Sequence, residues 1–542
     1  MLSTLLLALQ VSTGAPAPAT PDQTQPAAAT LMDGMGDLHH PIETTSDTAQ
    51  KFFDQGLTFI YAFNHDEAIR SFRRAAELDP ASPMPWWGIA YALGPNINSD
   101  VDAEREKAAY DAAQQALKLS ENATPQERAY VNALLKRYSN DPKADLKTLA
   151  SQYRNAMRDL TVAYPNDLDA SVLYAESIMD LHPWQLWTTD GAPAEGTIEL
   201  ITVLENVLKY DPTHIGANHY YIHAVEASIA PERALESAER LKTLVPAAGH
   251  LVHMPSHIYM HTGDYAGAVA ANEAGIAADR TYMGATKASG IYPEMYYNHN
   301  LDFLASAAMM TGEFAKASNA ADEVVKNALA GVGGMPMLEP FAAKKIWVLL
   351  RFSKWDDMLQ VPQPDPSLKM LTAVWHFGRG VAQAKKGNAP AADQEKTAYN
   401  TAKRAISANA MWGYNKASDI FAVADSVLDA RIWLAKKDLE SSIAAWKRAV
   451  AAEDKLAYDE PDDWFYPVRE SLEAALLKAH RLDETERIFR QDQEHNPENP
   501  RTLFIQYQFY TITGDDDLSL VYRRRFSDGW EHADVDLKLD DY

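Results

Sequence analysis

A short pattern of small and aromatic residues recurs along this chain and restricts the folds open to it. The pattern is clearest in residues 49–82, which read AQKFFDQGLTFIYAFNHDEAIRSFRRAAELDPAS. Its defining positions are Gly56, Phe59, Ala68, Phe72, Ala75 and Pro80. Small residues at helical spacing let two antiparallel helices pack closely, and a proline stops the second helix. One such pair cannot bury its apolar face alone, so the pattern predicts a stack of repeated helix pairs.

Further units fit the same template along the chain. They are residues 215–248, residues 249–282, a unit from Asn298, one from Glu339, one from Ala373 and one ending at Pro497. Strand-like alternation is nearly absent, whereas apolar stripes at helical spacing are long. This layout resembles the tetratricopeptide-repeat (TPR) proteins across most of residues 46–530. The resemblance implies an all-α, right-handed superhelix of TPR-like antiparallel helix pairs.

Several phrases also resemble a bacterial TPR family. They read FNHDEAIRSF (63–72), WWGIAYALGPNIN (86–98), HPWQLW (182–187), GHLVHMPSHIYMHTGDY (249–265) and DDWFYPVRESL (462–472). This resemblance concerns the fold and the place of the functional site, and it implies no particular reaction.

The chain divides into four predicted segments. Residues 1–16 resemble a signal-peptide remnant, because an apolar run precedes small residues, although a basic start is missing. Residues 17–45 are predicted to form a Pro/Ala-rich tether. Residues 46–330 form an N-terminal TPR array with a histidine-rich groove, and residues 331–542 form a C-terminal TPR array. The apolar start indicates a periplasmic or secreted protein.

The composition excludes several functions. The 542 residues carry 50 Lys and Arg against 75 Asp and Glu, and the net charge of −25 argues against binding nucleic acid or an anionic membrane surface. No cysteine is present, which removes disulfides, thiolate metal sites and cysteine nucleophiles. Phosphate-binding glycine loops and the G-x-S-x-G pattern are missing. No segment is long enough to insert across a membrane.

Histidines concentrate between His214 and His261, where seven of the 16 lie together with Glu226. The first helix of each TPR unit lines the concave groove, so consecutive units direct one set of side chains into a shared space. The predicted ligands are His219, His223, His250, His253, His257, His261, His299 and Asp302. Clustered imidazoles and carboxylates without thiolates predict a site for a divalent transition metal.

Helical spacing supports part of this set. His219, His223 and Glu226 stand at i, i+4 and i+7, which places them on one face of one helix. His257 and His261 are again four residues apart, a spacing that lets two imidazoles hold one ion. Both pairs are therefore predicted to bind from helices.

Pro255 changes the expectation for its neighbours. Proline is unfavourable inside a helix, so we expect a helix to begin near Met254. This leaves His250 and His253 on the entering loop, from which they can still reach the groove. His214 precedes its helix and is predicted to be a bystander.

Imidazole ligands favour copper, with zinc or iron as alternatives, and the soft neighbours Met254 and Met260 fit copper. Glu226 is the candidate catalytic base beside a metal-bound water. We therefore predict a metal-binding TPR protein, and whether it is an oxidoreductase or hydrolase acting on a small molecule or peptide, or a metal carrier, stays open. The alternative is a TPR adaptor that binds a peptide or partner protein in its groove without metal.

Overall fold

The structure is a computed structural model that describes residues 29–98 and 100–542. Its first helices are α1 (Asp47–Tyr61), α2 (His65–Leu78), α3 (Met84–Leu93), α4 (Ala103–Leu119), α5 (Pro125–Leu134), α6 (Leu146–Ala163), α7 (Leu168–Met179) and α8 (Thr197–Tyr210). The middle helices are α9 (Ile215–Val225), α10 (Leu235–Leu244), α11 (Gly249–His253), α12 (Pro255–Thr262), α13 (Tyr265–Thr286), α14 (Tyr297–Thr311), α15 (Phe314–Gly331), α16 (Lys344–Arg351) and α17 (Trp355–Gln360). The last elements are α18 (Lys369–Lys385), α19 (Ala389–Lys403), β1 (Met411–Trp412), β2 (Asn415–Lys416), α20 (Ala417–Ala435), α21 (Leu439–Glu453), α22 (Val468–Lys478), α23 (Leu482–His495), α24 (Pro500–Thr513) and α25 (Asp516–Gly529).

The first helix pair shows why this sequence forms such pairs. Ser46 and Asn64 cap the N-termini of α1 and α2 through their side-chain oxygens, as these residue types prefer to do. Gly56 of α1 and Gly88 of α3 both lie against the ring of Phe72 in α2. A Cβ atom added at either glycine would lie 2.6 or 2.7 Å from that ring. Glycine therefore sets how closely the three helices approach one another.

Neighbouring helices pack against one another throughout the described residues, as α1 does on α2, α13 on α14 and α18 on α19. The only paired strands in residues 29–98 and 100–542 that form a sheet are β1 and β2. The predicted all-α superhelix of helix pairs is confirmed.

The hydrophobic cores continue across the predicted border between residues 330 and 331. The first core extends to Val348 and Phe352, whereas the second begins at Ala328. A small third core contains Phe504 and Phe509. Because a repeat stack buries each unit against the next, the two predicted arrays are continuous in packing.

The tether prediction is wrong for residues 29–45. Met35 and Ile42 are buried, and the Gly34 carbonyl accepts a hydrogen bond of 3.0 Å from the N–H of Ala247. The Pro/Ala-rich stretch that indicates a tether ends near Thr30, and the apolar residues that follow it pack on the repeat stack.

Two other predictions concern the chain start and membranes. The predicted signal remnant (1–16) and the first part of the tether (17–28) lie outside the described residues. Among the described helices, none combines the length and the hydropathy needed to cross a membrane.

Candidate metal centre

Two pairs of histidines repeat with the TPR period. His219 and His223 lie on α9, and His253 and His257 lie on α11 and α12, each 34 residues further along the chain. Within each pair the spacing of four residues directs both rings to one face. The repeat therefore produces two equivalent histidine pairs on successive units.

The prediction that Pro255 leaves His250 and His253 on a loop is wrong. Both residues belong to α11, and Met254 keeps helical angles of φ −51° and ψ −33° between α11 and α12. Proline at the first position of a helix lacks only an N–H that a helix start leaves unpaired. Helix geometry therefore sets the direction of both imidazoles.

Six predicted ligands form two groups of three. We term His219, His223 and His250 the first triplet, and His253, His257 and His299 the second triplet. Candidate ligand atoms within each triplet lie within 4.8 Å of one another. In the first triplet, Nε2 of His219 and Nε2 of His250 are 3.2 Å apart. In the second, Nε2 of His253 lies 2.9 Å from that of His257 and 3.0 Å from that of His299.

Glu226 orients one histidine of each triplet. Its Oε1 accepts a hydrogen bond of 2.8 Å from Nδ1 of His223, and its Oε2 accepts one of 2.7 Å from Nδ1 of His257. Burial raises the pKa of Glu226, but His223 and His257 outweigh burial and lower it, so the carboxylate stays charged. Since a carboxylate only accepts, both rings are protonated on Nδ1 and turn Nε2 toward their triplets.

This position differs from the role that sequence reasoning assigns to Glu226. A general base must reach a metal-bound water, whereas both oxygens of Glu226 are bonded to the Nδ1 side of two rings. An ion on Nε2 would lie on the other side of each imidazole. Glu226 is therefore placed to orient two ligands.

Two further acceptors orient rings and have no signature in the sequence. Nδ1 of His219 donates to the Tyr61 carbonyl at 2.6 Å, and Nδ1 of His253 donates to Oδ1 of Asn272 at 2.7 Å. The amide nitrogen of Asn272 donates to the Ala268 carbonyl at 2.8 Å, which determines the end of the amide that faces His253. Both histidines thus hold their Nε2 lone pairs toward the triplets.

The second triplet cannot be satisfied by hydrogen bonds alone. Because Nδ1 of His253 carries the proton, its neutral ring has one lone pair on Nε2 and accepts one hydrogen bond. Two other nitrogens, Nε2 of His257 and Nε2 of His299, lie 2.9 and 3.0 Å from that single atom. One cation coordinated by all three nitrogens satisfies every contact at once.

Burial keeps these rings in the form that binds metals. It lowers the pKa of His219, His250 and His253 well below the usual value, and neighbouring imidazoles lower it further. Burial and nearby imidazoles also lower the pKa of His299 to about 3. Neutral imidazole is the ligand form, so these four rings need not lose protons at neutral pH.

Two phenylalanines cover the histidine rings. The ring centroid of Phe63 lies 4.6 Å from that of His219, and the centroid of Phe303 lies 4.8 Å from His257 and 5.1 Å from His253. Both phenylalanines are buried. An apolar shell of this kind limits the access of water to bound ions.

His261 and Asp302 are predicted ligands that the structure does not bring into either triplet. Nε2 of His261 contacts the carboxylate of Glu460 and lies 3.2 Å from the Tyr458 hydroxyl. Asp302 pairs with Lys344, whose Nζ lies 2.9 Å away. Glu460 and Lys344 come from other units, so the repeat register of one helix does not reveal these partners.

The His261–Glu460 pair predicts a loss of stability at alkaline pH. Burial lowers the pKa of His261, but Glu460 more than compensates and raises it to about 9. The folded pKa exceeds the unfolded value of about 6.5, so the stabilisation is complete below pH 6.5 and is lost as the pH rises through about 9. As the pH rises across this window, loss of the pair's contribution should lower the unfolding free energy by about 1.4 kcal/mol per pH unit.

Urea unfolding of the protein and of Glu460→Gln at several pH values between 6 and 10 measures this contribution. The substitution should flatten the decline with pH, because the glutamine amide does not attract the imidazolium charge. An identical pH slope in both proteins would contradict the assignment.

Another group of candidate ligands, His40, Asp167 and Asp169, already has protein partners. Asp169 accepts from the Tyr61 hydroxyl at 2.6 Å and contacts Nδ1 of His40 at 2.7 Å, while Asp167 accepts from the Tyr130 hydroxyl at 2.7 Å. These bonds satisfy the carboxylates without an ion. The group supports the position of Tyr61, whose carbonyl orients His219.

No protein-family model matches the chain, and no curated protein matches it. Solved structures similar to it include yeast Tom70, with 12% identity and a TM-score of 0.32 over 88% of this chain and 96% of that chain. The human IFIT1 dimer with PPP-AAAA has 12% identity and a TM-score of 0.32, over 90% and 91% of the two chains. The P58(IPK) TPR domain has 12% identity and a TM-score of 0.21, over 82% and 99%. The helix pairs themselves define the chain as an all-α, TPR-like repeat protein.

Proposed function

We propose that the protein binds two transition-metal ions, one in each histidine triplet. The single Nε2 lone pair of His253, faced by Nε2 of His257 and Nε2 of His299 at 2.9 and 3.0 Å, is the observation that carries the proposal. Ligand nitrogens about 2.0–2.1 Å from an ion lie roughly 2.9 Å apart at a right angle and about 3.3 Å apart at a tetrahedral angle. The observed separations are in this range.

The ligand set selects a class of metal and leaves room for chemistry. Imidazole nitrogens without thiolates suit copper, zinc, iron or nickel and do not suit calcium or magnesium. Three protein ligands leave at least one coordination position open, as in catalytic zinc sites. The proposed function is therefore metal-dependent oxidation or hydrolysis at a buried dinuclear site.

Elemental analysis of protein purified without an affinity tag tests this proposal. We expect close to two ions per chain, falling to about one in His219→Ala and about one in His257→Ala, because each variant disrupts one triplet. His376→Ala is the control, since His376 pairs with Glu395 and belongs to neither triplet. Metal-free protein that shows no thermal shift with copper, zinc, iron or nickel would overturn the proposal.

Binding of a partner peptide is a second candidate function, and the C-terminal half of the chain favours it. Its helices already hold an acidic segment of the same chain. Lys478 contacts Oδ1 of Asp540 at 2.9 Å, and Nζ of Lys385 donates to the backbone oxygen of Tyr542 at 3.1 Å. The buried Tyr542 ring stacks on Phe504. The groove formed by Lys385, Lys478 and Phe504 therefore suits an extended acidic peptide from a partner protein.

A labelled peptide with the sequence of residues 533–542, ADVDLKLDDY, tests the second candidate. It should bind Tyr542→Ala more tightly than the unmodified protein, because that substitution weakens the internal competitor. A scrambled peptide is the control. Equal binding of both peptides would argue against a specific groove, and the metal proposal would be unaffected.

A further inference from the structure

We infer that the two triplets hold a pair of copper ions that binds dioxygen between them. The inference rests on the proposed function, since it requires one ion in each triplet. It specifies the oxidation state of the ions, and it names dioxygen as the ligand that binds at the open coordination positions.

The two triplets adjoin each other. The ring centroids of His223 and His257 are 5.5 Å apart, and those of His250 and His253 are 5.8 Å apart. Glu226 is hydrogen-bonded to His223 and His257, so one carboxylate sets the position of the triplets relative to each other. Ions held by the two adjoining triplets would be neighbours, and metal ions about 3.5–4 Å apart can share one small ligand.

The charge around the ions selects their oxidation state. Imidazole coordinates a metal as a neutral ligand, and Glu226 is the one carboxylate bonded to a triplet within the described residues. Asp302 and Glu460 are each paired with a cationic side chain instead. Two divalent ions would leave three positive charges uncompensated in a buried site, whereas two Cu(I) ions leave one. Uncompensated buried charge is costly, so the site favours the Cu(I) pair.

Dioxygen binding leaves this charge unchanged. Each Cu(I) loses one electron and becomes Cu(II), and dioxygen gains both electrons and binds as peroxide with an O–O single bond. The two positive charges gained by the metals cancel the two negative charges on peroxide. No proton and no further reactant is needed. Zinc cannot take this step because it has no redox chemistry.

The apolar covering of the triplets suits this ligand. Phe63 and Phe303 pack directly on the histidine rings, and both are buried. Dioxygen is small and uncharged, so it crosses such a covering more readily than an ionic substrate does. Water, which would compete for the open positions, is limited by the same residues.

Anaerobic loading of the full-length protein with Cu(I), followed by exposure to dioxygen, tests the inference. We expect two copper ions per chain and the uptake of one dioxygen molecule per copper pair. An intense near-ultraviolet absorption should appear without a Cu(II) electron-paramagnetic-resonance signal, because the two spins couple. Removing dioxygen should reverse the absorption. His376→Ala should behave identically.

Five outcomes would overturn the inference. Two bound copper ions that take up no dioxygen, or that give an ordinary mononuclear Cu(II) signal, would refute the inference and leave the metal proposal intact. Stoichiometric zinc without copper binding would do the same. Failure to bind any ion would refute both. His299→Ala should hold one copper ion and lose the absorption, and retention of the full absorption would also contradict the copper pair.

Discussion

Replacing Glu226 with glutamine should weaken metal binding by about 10- to 100-fold at one of the two triplets, although Glu226 is a member of neither triplet. Glutamine has one accepting oxygen, whereas Glu226 accepts from Nδ1 of His223 and from Nδ1 of His257. One of the two rings would then face an N–H group. That ring is expected to move its proton from Nδ1 to Nε2, which removes a ligand from its triplet.

Competition with a calibrated chelator measures this change, and the number of tightly bound ions should fall from two to one. Glu473→Gln is a matched control, because Glu473 is also a fully buried glutamate but lies on α22, outside both triplets. Two ions held with unchanged affinity in Glu226→Gln would show that Glu226 does not orient the ligands.

Replacing Arg351 with alanine should destabilise the fold by about 3–5 kcal/mol, because it leaves a buried carboxylate without its counter-charge. Nη1 and Nη2 of Arg351 donate to the two oxygens of Glu470 at 2.5 and 2.9 Å, and the side chains of both residues are no more than 3% exposed. Asn499 would remain as a donor to Glu470, at 2.8 Å, but it carries no charge.

Urea and thermal unfolding measure the loss. The double substitution Arg351→Met with Glu470→Leu should recover much of it, because replacing both partners leaves no unpaired charge. Arg490→Ala is the surface control, since Arg490 and Glu486 are largely exposed and contribute little. A small effect of Arg351→Ala alone would show that water or another group compensates Glu470.

Much of the fold can be predicted from local sequence. Gly56, Phe72 and Gly88 lie in the predicted helix pairs, and in the structure both glycines contact the Phe72 ring. Composition is a poor guide for residues 29–45, which the predicted tether includes but in which the structure buries Met35. Composition describes a segment by itself, whereas packing depends on the helix faces that it meets.

The candidate site, like the fold, is predicted only in part by the sequence. Helical spacing and repeat register predict His219, His223, His253 and His257 as neighbours, because the same positions recur one unit later. They also predict His261, whose position on the same helix is correct but whose partner is Glu460. The His261 ring pairs with a carboxylate from a distant unit, and no local sequence pattern reveals that partner.

The repeat pattern and the clustering of histidines are local properties, so the sequence alone determines the helix pairs and the units that carry imidazoles. Only the tertiary structure decides which nitrogen of each ring faces the other members of its triplet. That choice depends on the acceptors at Nδ1: the carbonyl of Tyr61, the amide of Asn272 and the shared carboxylate of Glu226. Most of these acceptors lie many residues away from the rings they orient. Hydrogen-bond direction is set in space, and for that reason folding turns a histidine-rich stretch into two defined triplets.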